Sequence, residues 1–210
     1  MKIYPIVEGH GEVEAVPVLL RRLLAQASSY DVEVGSPMRR TQAQMRGEQS
    51  ITAAVRVTML QPECAAILIL FDGEDDCPVE VAARVGGWAR AAAAGTPCEV
   101  VVAYREYETW FLAALESIRG QCSIRPDAVA PPTPESRRDA KGWLETWMPA
   151  DRAYSETQDQ AALSASFDMA LSFRRNRSFR KLVTTFGDLV KSLGRPIAEW
   201  PPAEWKSPHL

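Results

Sequence analysis

Carboxylates gather at two places in this chain, and at both they follow an apolar run that stops abruptly in glycine. In Ile6-Val7-Glu8-Gly9-His10-Gly11-Glu12 the acids are Glu8 and Glu12. In Ile67-Leu68-Ile69-Leu70-Phe71-Asp72-Gly73-Glu74-Asp75-Asp76 they are Asp72, Glu74, Asp75 and Asp76. Carboxylates brought to one place repel one another and raise one another's pKa values, a conflict that a bound divalent ion removes. Donors that are all oxygen suit Mg²⁺ or Mn²⁺. A helix beginning near Gly11 would turn Glu8 and Glu12 toward one site. Asp72 and Glu74 would share a face of an extended segment. Taken singly, Asp75 and Asp76 read as solvated loop or N-cap acids.

Such acids need strands to place them. Lys2 to Val7, Val32 to Val34, Ala65 to Phe71 and Glu99 to Tyr104 read as strands, although Pro5 argues against the first because proline removes a ladder hydrogen bond. Helical spacing of apolar residues runs through Val13–Ala27, Ser50–Leu60, Val79–Ala94 behind Pro78, and from Glu106 to Leu115. Strand and helix alternate over this half, so the expectation is an α/β fold, a mainly parallel sheet with helices on both faces. Sites in such sheets lie beyond the carboxyl ends of the strands, where both acid clusters fall. The domain expectation is residues 1–120 as this α/β unit. Residues 121–210 then form a proline-rich loop and a mostly helical extension packed on it, ending in an irregular Trp200–Trp205 tail.

Composition excludes several classes. The net charge is -3, so the chain as a whole has no pull toward nucleic acid, and any such contact needs a local basic patch. The four cysteines form no Cys-x-x-Cys pair, and the only histidines are His10 and His209, which argues against structural zinc and for reduced thiols in a cytoplasmic protein. No apolar run approaches a membrane span or a signal peptide. Gly9-x-Gly11 lacks the rest of a dinucleotide fingerprint, and no P-loop motif is present. Trp143, Trp147, Trp200 and Trp205 are expected to pack the second half onto the sheet.

With these residues in view, the chain resembles the Toprim superfamily, the domain of topoisomerases, primases and overcoming-lysogenization-defect (OLD) nucleases. Val7-Glu8-Gly9 is similar to its first motif, and Glu8 with Glu12 to the paired glutamates of the OLD type. Phe71-Asp72-Gly73-Glu74-Asp75-Asp76 is similar to its Asp-x-Asp motif, with glutamate at 74 where the family usually has aspartate. Arg105-Glu106-Tyr107-Glu108-Thr109-Trp110 resembles a third segment whose leading acid is Glu108, with Glu106 as the substitute. Lys141 resembles the lysine that follows the acidic motifs. The whole chain also resembles a bacterial Toprim-like family encoded beside chromosome-segregation-type ATPases.

The resemblance implies a Mg²⁺- or Mn²⁺-dependent nuclease acting on DNA, in anti-phage defence or DNA processing, with a separate ATPase as partner. Glu8, Asp72, Glu108 and Lys141 would be catalytic. Glu8, Glu12, Asp72, Glu74 and Asp76 would hold metal. The alternatives are a non-catalytic Toprim-like interaction or sensor subunit, and a nuclease acting on RNA. The longer side chain at Glu74 favours the first, because Mg²⁺ demands near-ideal octahedral geometry. Phosphate contacts are expected from the densest basic stretch, which carries Arg174, Arg175, Arg177, Arg180 and Lys181. Its plain alternative is a solvated helix face.

Overall fold

A computed structural model describes residues 1–197 and 199–206; His209 lies outside the described residues. Five parallel strands form one sheet: β1 (Lys2–Val7), β2 (Glu33–Val34), β3 (Met38–Arg39), β4 (Cys64–Asp72) and β5 (Cys98–Ala103). The order is β2-β1-β4-β5, with β3 also paired to β1. Burial on both faces makes β4 a nearly continuous apolar run, as central strands of parallel sheets are.

Pro5 sits inside β1 after all, and the pairing explains how. The carbonyls of Met1, Ile3 and Val7 point toward β2 and β3. Proline at residue 5 therefore turns its missing donor to the same side. There β2 pairs with Lys2 and Ile3 and β3 with Ile6 and Val7, leaving a gap opposite Pro5. On the other side β1 keeps an unbroken register with β4 from Ile3 to Val7.

Two apolar layers clothe the sheet. On one face Ile67, Ile69 and Phe71 pack with Ile51, Val55, Val81 and Val85 from α3 (Glu48–Met59) and α4 (Pro78–Ala92). The short α2 (Gln42–Met45) precedes α3 and buries Met45. On the other face Ile3, Val7, Leu68 and Leu70 pack with Leu19, Leu20 and Leu23 of α1 (Glu12–Gln26) and with the aromatic residues Tyr107, Trp110 and Phe111.

The second half joins that larger core and does not form one of its own. Leu163 of α7 (Glu156–Ser166), Met169 of α8 (Met169–Arg175), and Phe179, Leu182 and Phe186 of α9 (Arg177–Ser192) lie in the same cluster as the strands. Among the described residues no helix is long and apolar enough to cross a membrane.

Three local expectations change. The helix after β5 starts late, as α5 (Thr109–Ala113), because Arg105 takes a left-handed conformation with φ 64° and turns the chain first. The proline-rich region contains α6 (Ala140–Glu145), N-capped by the Asp139 side chain. The Trp200–Trp205 tail is not wholly irregular. Ala203–Lys206 forms α10, with Trp205 buried and Trp200 Nε1 donating to the Val183 carbonyl at 2.7 Å. Trp143 and Trp147 are half-buried against the same core, so the tryptophans do pack the second half on.

Candidate functional site

Parallel pairing puts both acid clusters on one edge. Val7 is level with Leu70, so Glu8 leaves β1 beside the last turn of the ladder, and Asp72 closes β4. A cleft of about 230 Å³ opens there, lined among others by Glu8, His10, Glu12, Asp72, Glu74 and Lys141. Glu108, at the N-cap of α5, is wholly buried and is joined to the cleft through Gln160, which lines it.

Glu12, Asp72 and Glu108 are each anchored through one oxygen. Glu12 opens α1, and its Oε2 accepts from the backbone N–H groups of Glu8 at 2.8 Å and Gly9 at 3.0 Å. Asp72 Oδ1 accepts from the Tyr107 N–H at 2.8 Å. Glu108 Oε1 accepts from Tyr154 Oη at 2.9 Å and Gln160 Nε2 at 3.0 Å. Glu108 Oε2 and Glu8 Oε2 are buried and have no hydrogen-bond partner. Unsatisfied buried oxygens of this kind cost free energy unless something occupies them.

Electrostatics follow from the packing. Burial, offset by the two backbone donors, pushes Glu12 up to about 7, with Glu108 and Glu8 adding repulsion. Burial likewise holds Glu108 at about 7, despite Lys141 and the Tyr154 hydroxyl. Asp72 is raised well above the usual carboxylate range, by burial first and then by Glu12 and Glu108. Glu8 is raised by burial and held down in part by Arg46. Burial works against the Lys141 ammonium, but Glu108, Glu156 and Asp72 outweigh it and raise its pKa. Four acids and one lysine thus share a single field.

The C-terminal half completes this site. Lys141 comes from α6, and its Nζ pairs with Glu156 Oε1 at 2.6 Å. Gln160 of α7 holds Glu108. Gly11 permits the approach of α7: a Cβ at that position would collide with Gln160 Oε1 and the Glu156 carbonyl.

The remaining predicted residues are placed differently. Glu74 lines the cleft, but β4 ends at Asp72 and Glu74 is left-handed with φ 53°. The strand alternation that would have paired it with Asp72 therefore does not reach it. Asp76 does not line the cleft; it is exposed, with its Oδ2 accepting from Arg46 Nε at 3.2 Å. Asp75 is paired with Arg105 and Arg138. Glu106 accepts from the Ala140 N–H at the start of α6 and so serves that helix.

In the basic stretch, Arg175 donates to the Ala113 carbonyl and pairs with Glu116 at 2.8 Å. Arg180 donates to the carbonyls of Phe173 and Arg174 at the end of α8. These two arginines tie elements together. Arg177 and Lys181 are exposed, and Arg174 is half-buried.

Sequence reasoning missed Arg39 and Arg46. Arg39, from β3, lines the cleft and donates to the Glu8 carbonyl at 3.3 Å. Arg46 follows α2 and reaches the ends of both β1 and β4. Neither lies in a motif or a periodic stretch, so only the fold reveals them.

The donor set suits a hard cation: oxygen throughout, with two buried oxygens unsatisfied. As the side chains stand, however, no three Asp, Glu, His or Cys groups among the described residues close around one point as a finished metal cage. A cation would have to draw the second oxygens inward.

Residues 7–187 match the family described as Domain of unknown function (DUF4276), and the chain belongs to that family. Neither a curated protein nor a solved structure matches it.

Proposed function

We propose that this protein is a Toprim-like, Mg²⁺- or Mn²⁺-dependent phosphodiesterase that cleaves DNA in the cytoplasm, in anti-phage defence or DNA processing, together with a chromosome-segregation-type ATPase. One observation carries the reading. Glu8, Glu12, Asp72 and Glu108 are brought together at the carboxyl edge of a parallel sheet with raised pKa values, Glu12 and Glu108 buried and Glu8 and Asp72 half-buried, and Lys141 is set beside Glu108 and Asp72.

Such an arrangement costs stability unless positive charge enters it. A divalent ion held by these acids would supply the charge that stabilises an in-line phosphoryl transition state. The chain's own groups do the rest. Asp72 and Glu12, fixed by backbone donors, keep their carboxylates oriented toward the cleft. Tyr154 and Gln160 hold Glu108 by one oxygen and leave the other available. Lys141 places an ammonium where charge develops on the phosphate or its leaving oxygen. Arg177 and Lys181 are the exposed cations of the basic stretch left to meet the nucleic-acid backbone.

The test is cleavage of supercoiled DNA, linear DNA and structured RNA with Mg²⁺, Mn²⁺ or chelator, with and without the ATPase. Metal-dependent cleavage that Asp72→Asn abolishes supports the reading. Retained activity in that variant overturns the mechanism, and a preference for the RNA substrate changes its target.

A second reading, a non-catalytic Toprim-like interaction module, is favoured by the open arrangement of the acids and by the left-handed backbone at Glu74. It predicts no cleavage under any of these conditions, together with retained association with the ATPase.

A further inference from the structure

Arg46 is the most heavily engaged cation at the acid edge, and the motifs assign it nothing. Its Nη2 donates to the Asp72 carbonyl at 3.1 Å and to the Gly73 carbonyl at 3.4 Å. Its Nε donates to Asp76 Oδ2 at 3.2 Å. The guanidinium lies over the Phe71 ring, 5.6 Å from the centroid. Two edges of the fork are thus used. The third is not: Nη1 is buried without a hydrogen-bond partner, and it faces Glu8 Oε2, also buried without one, across 3.8 Å.

That pair is unusual in its incompleteness. An arginine and a carboxylate free to meet form short, directed hydrogen bonds of about 2.7–2.9 Å. Here the guanidinium is pinned by two carbonyls and Asp76, and Glu8 leaves β1 on a fixed backbone, so charge attraction is present and the hydrogen bond is not. The carboxylate is held near the cleft without being consumed. The arginine edge has a donor facing inward with no acceptor on it.

We propose that Arg46 is the internal counter-ion of Glu8. A divalent cation displaces it from that role, and the guanidinium edge so freed binds the substrate phosphate. The inference rests on the phosphodiesterase reading for its substrate, but its first half concerns metal binding alone. A positive charge 3.8 Å from Glu8 opposes a second cation at the same carboxylate. Once Glu8 Oε2 turns to the cation, Nη1 needs an acceptor, and a phosphate oxygen is the natural one, since a planar fork matches phosphate geometry. Arg46 therefore acts with opposite sign on the two ligands. It weakens metal binding and strengthens phosphate binding.

The experiment measures two affinities on wild type, Arg46→Gln and Arg46→Lys. Mn²⁺ binding is read by calorimetry and by the rise in Tm. Binding of a short phosphorothioate oligonucleotide is read in Ca²⁺ without turnover. Arg46→Gln is expected to bind Mn²⁺ more tightly by on the order of three- to tenfold and the oligonucleotide more weakly by a similar factor, the range a partly buried charge pair supplies. Arg46→Lys keeps the charge and loses the fork to the two carbonyls. Its Mn²⁺ affinity should stay near that of wild type while its Tm falls. If Arg46→Gln weakens both ligands, or leaves Mn²⁺ affinity unchanged, Arg46 is a structural pin and the inference falls while the phosphodiesterase reading stands. If wild type itself shows no Mn²⁺ binding, the metal reading fails and takes the inference with it.

Discussion

Lys141 Nζ sits 2.6 Å from Glu156 Oε1, so the one lysine among the strand-end acids is held by a glutamate from the helix that covers them. The ammonium is shared. Glu156 orients it, while Glu108 and Asp72 feel its charge. Lys141→Met should therefore remove the cation proposed to act on the phosphate, and with it the charge that partly offsets Glu108 and Asp72. The expected result is a loss of cleavage of at least about 100-fold. Tm should fall without metal and recover more than that of wild type when Mn²⁺ is added. Cleavage rates and melting curves on the same preparation decide it. Activity within about threefold of wild type would mean that the lysine is only a surface partner of Glu156.

Acidity offers a second check. Glu12 and Glu108 titrate near 7 in the folded protein, above their value of about 4.5 in the unfolded chain, so the folded state binds more protons between those limits. Stability then declines as pH rises through that window, and the penalty is complete above about 7. Without metal, Tm at pH 5.5 should exceed that at pH 8 by roughly 5 °C. Glu108→Gln should flatten the difference. A Tm that rises steadily from pH 5.5 to 8 would show that these acids are ionised without strain.

Close approach at Gly11 gives a third. Gly11→Ala would drive a methyl group into Gln160 Oε1 and the Glu156 carbonyl. Much of the obstruction is backbone, so α7 must shift, at a cost of about 1–3 kcal/mol, and Glu108 loses its Gln160 donor. Gly87→Ala is the control. It lies in α4 with nothing near its would-be Cβ, and should stabilise the protein by about 0.5–1 kcal/mol through helix propensity. Denaturant titrations of the two variants should therefore move in opposite directions.

The basic stretch divides into groups that a binding assay can separate. Arg177 and Lys181 are exposed, so replacing both by alanine should leave Tm nearly unchanged and lower the slope of log affinity against log salt by about two on duplex DNA. Arg180→Ala should instead lower Tm by a few degrees, because it frees the carbonyls of Phe173 and Arg174. An unaltered salt slope in the double variant would return Arg177 and Lys181 to the plain role of a solvated helix face.

How far the sequence carried the structure can be judged from single residues. β4 was readable to within a residue because its apolar run is uninterrupted and ends in Asp72-Gly73. α1 was equally clear from Leu19, Leu20 and Leu23. Glu8 and Asp72 were readable as strand-end acids, but their adjacency depends on β1 lying beside β4, which periodicity does not encode. Glu74 does line the cleft, but by a left-handed turn past the end of β4 and not by the strand alternation expected of it. Arg39 and Arg46 were invisible because β3 and α2 are too short to carry a period, and their value comes only from where the chain returns. In the second half the helices were legible and the partners of Arg175 and Arg180 were not, since a run of cations looks the same whether it faces water or caps a neighbour.

The contact between Gly11 and α7 also orders events in time. Glu8, Glu12 and Asp72 leave the ribosome long before Lys141, Tyr154 and Gln160 are made. Glu108 takes its side-chain donors from Tyr154 and Gln160, and Lys141 joins the acids from the same half of the chain. The charged centre is therefore complete only once Gln160 has been made and α7 can seat against Gly11.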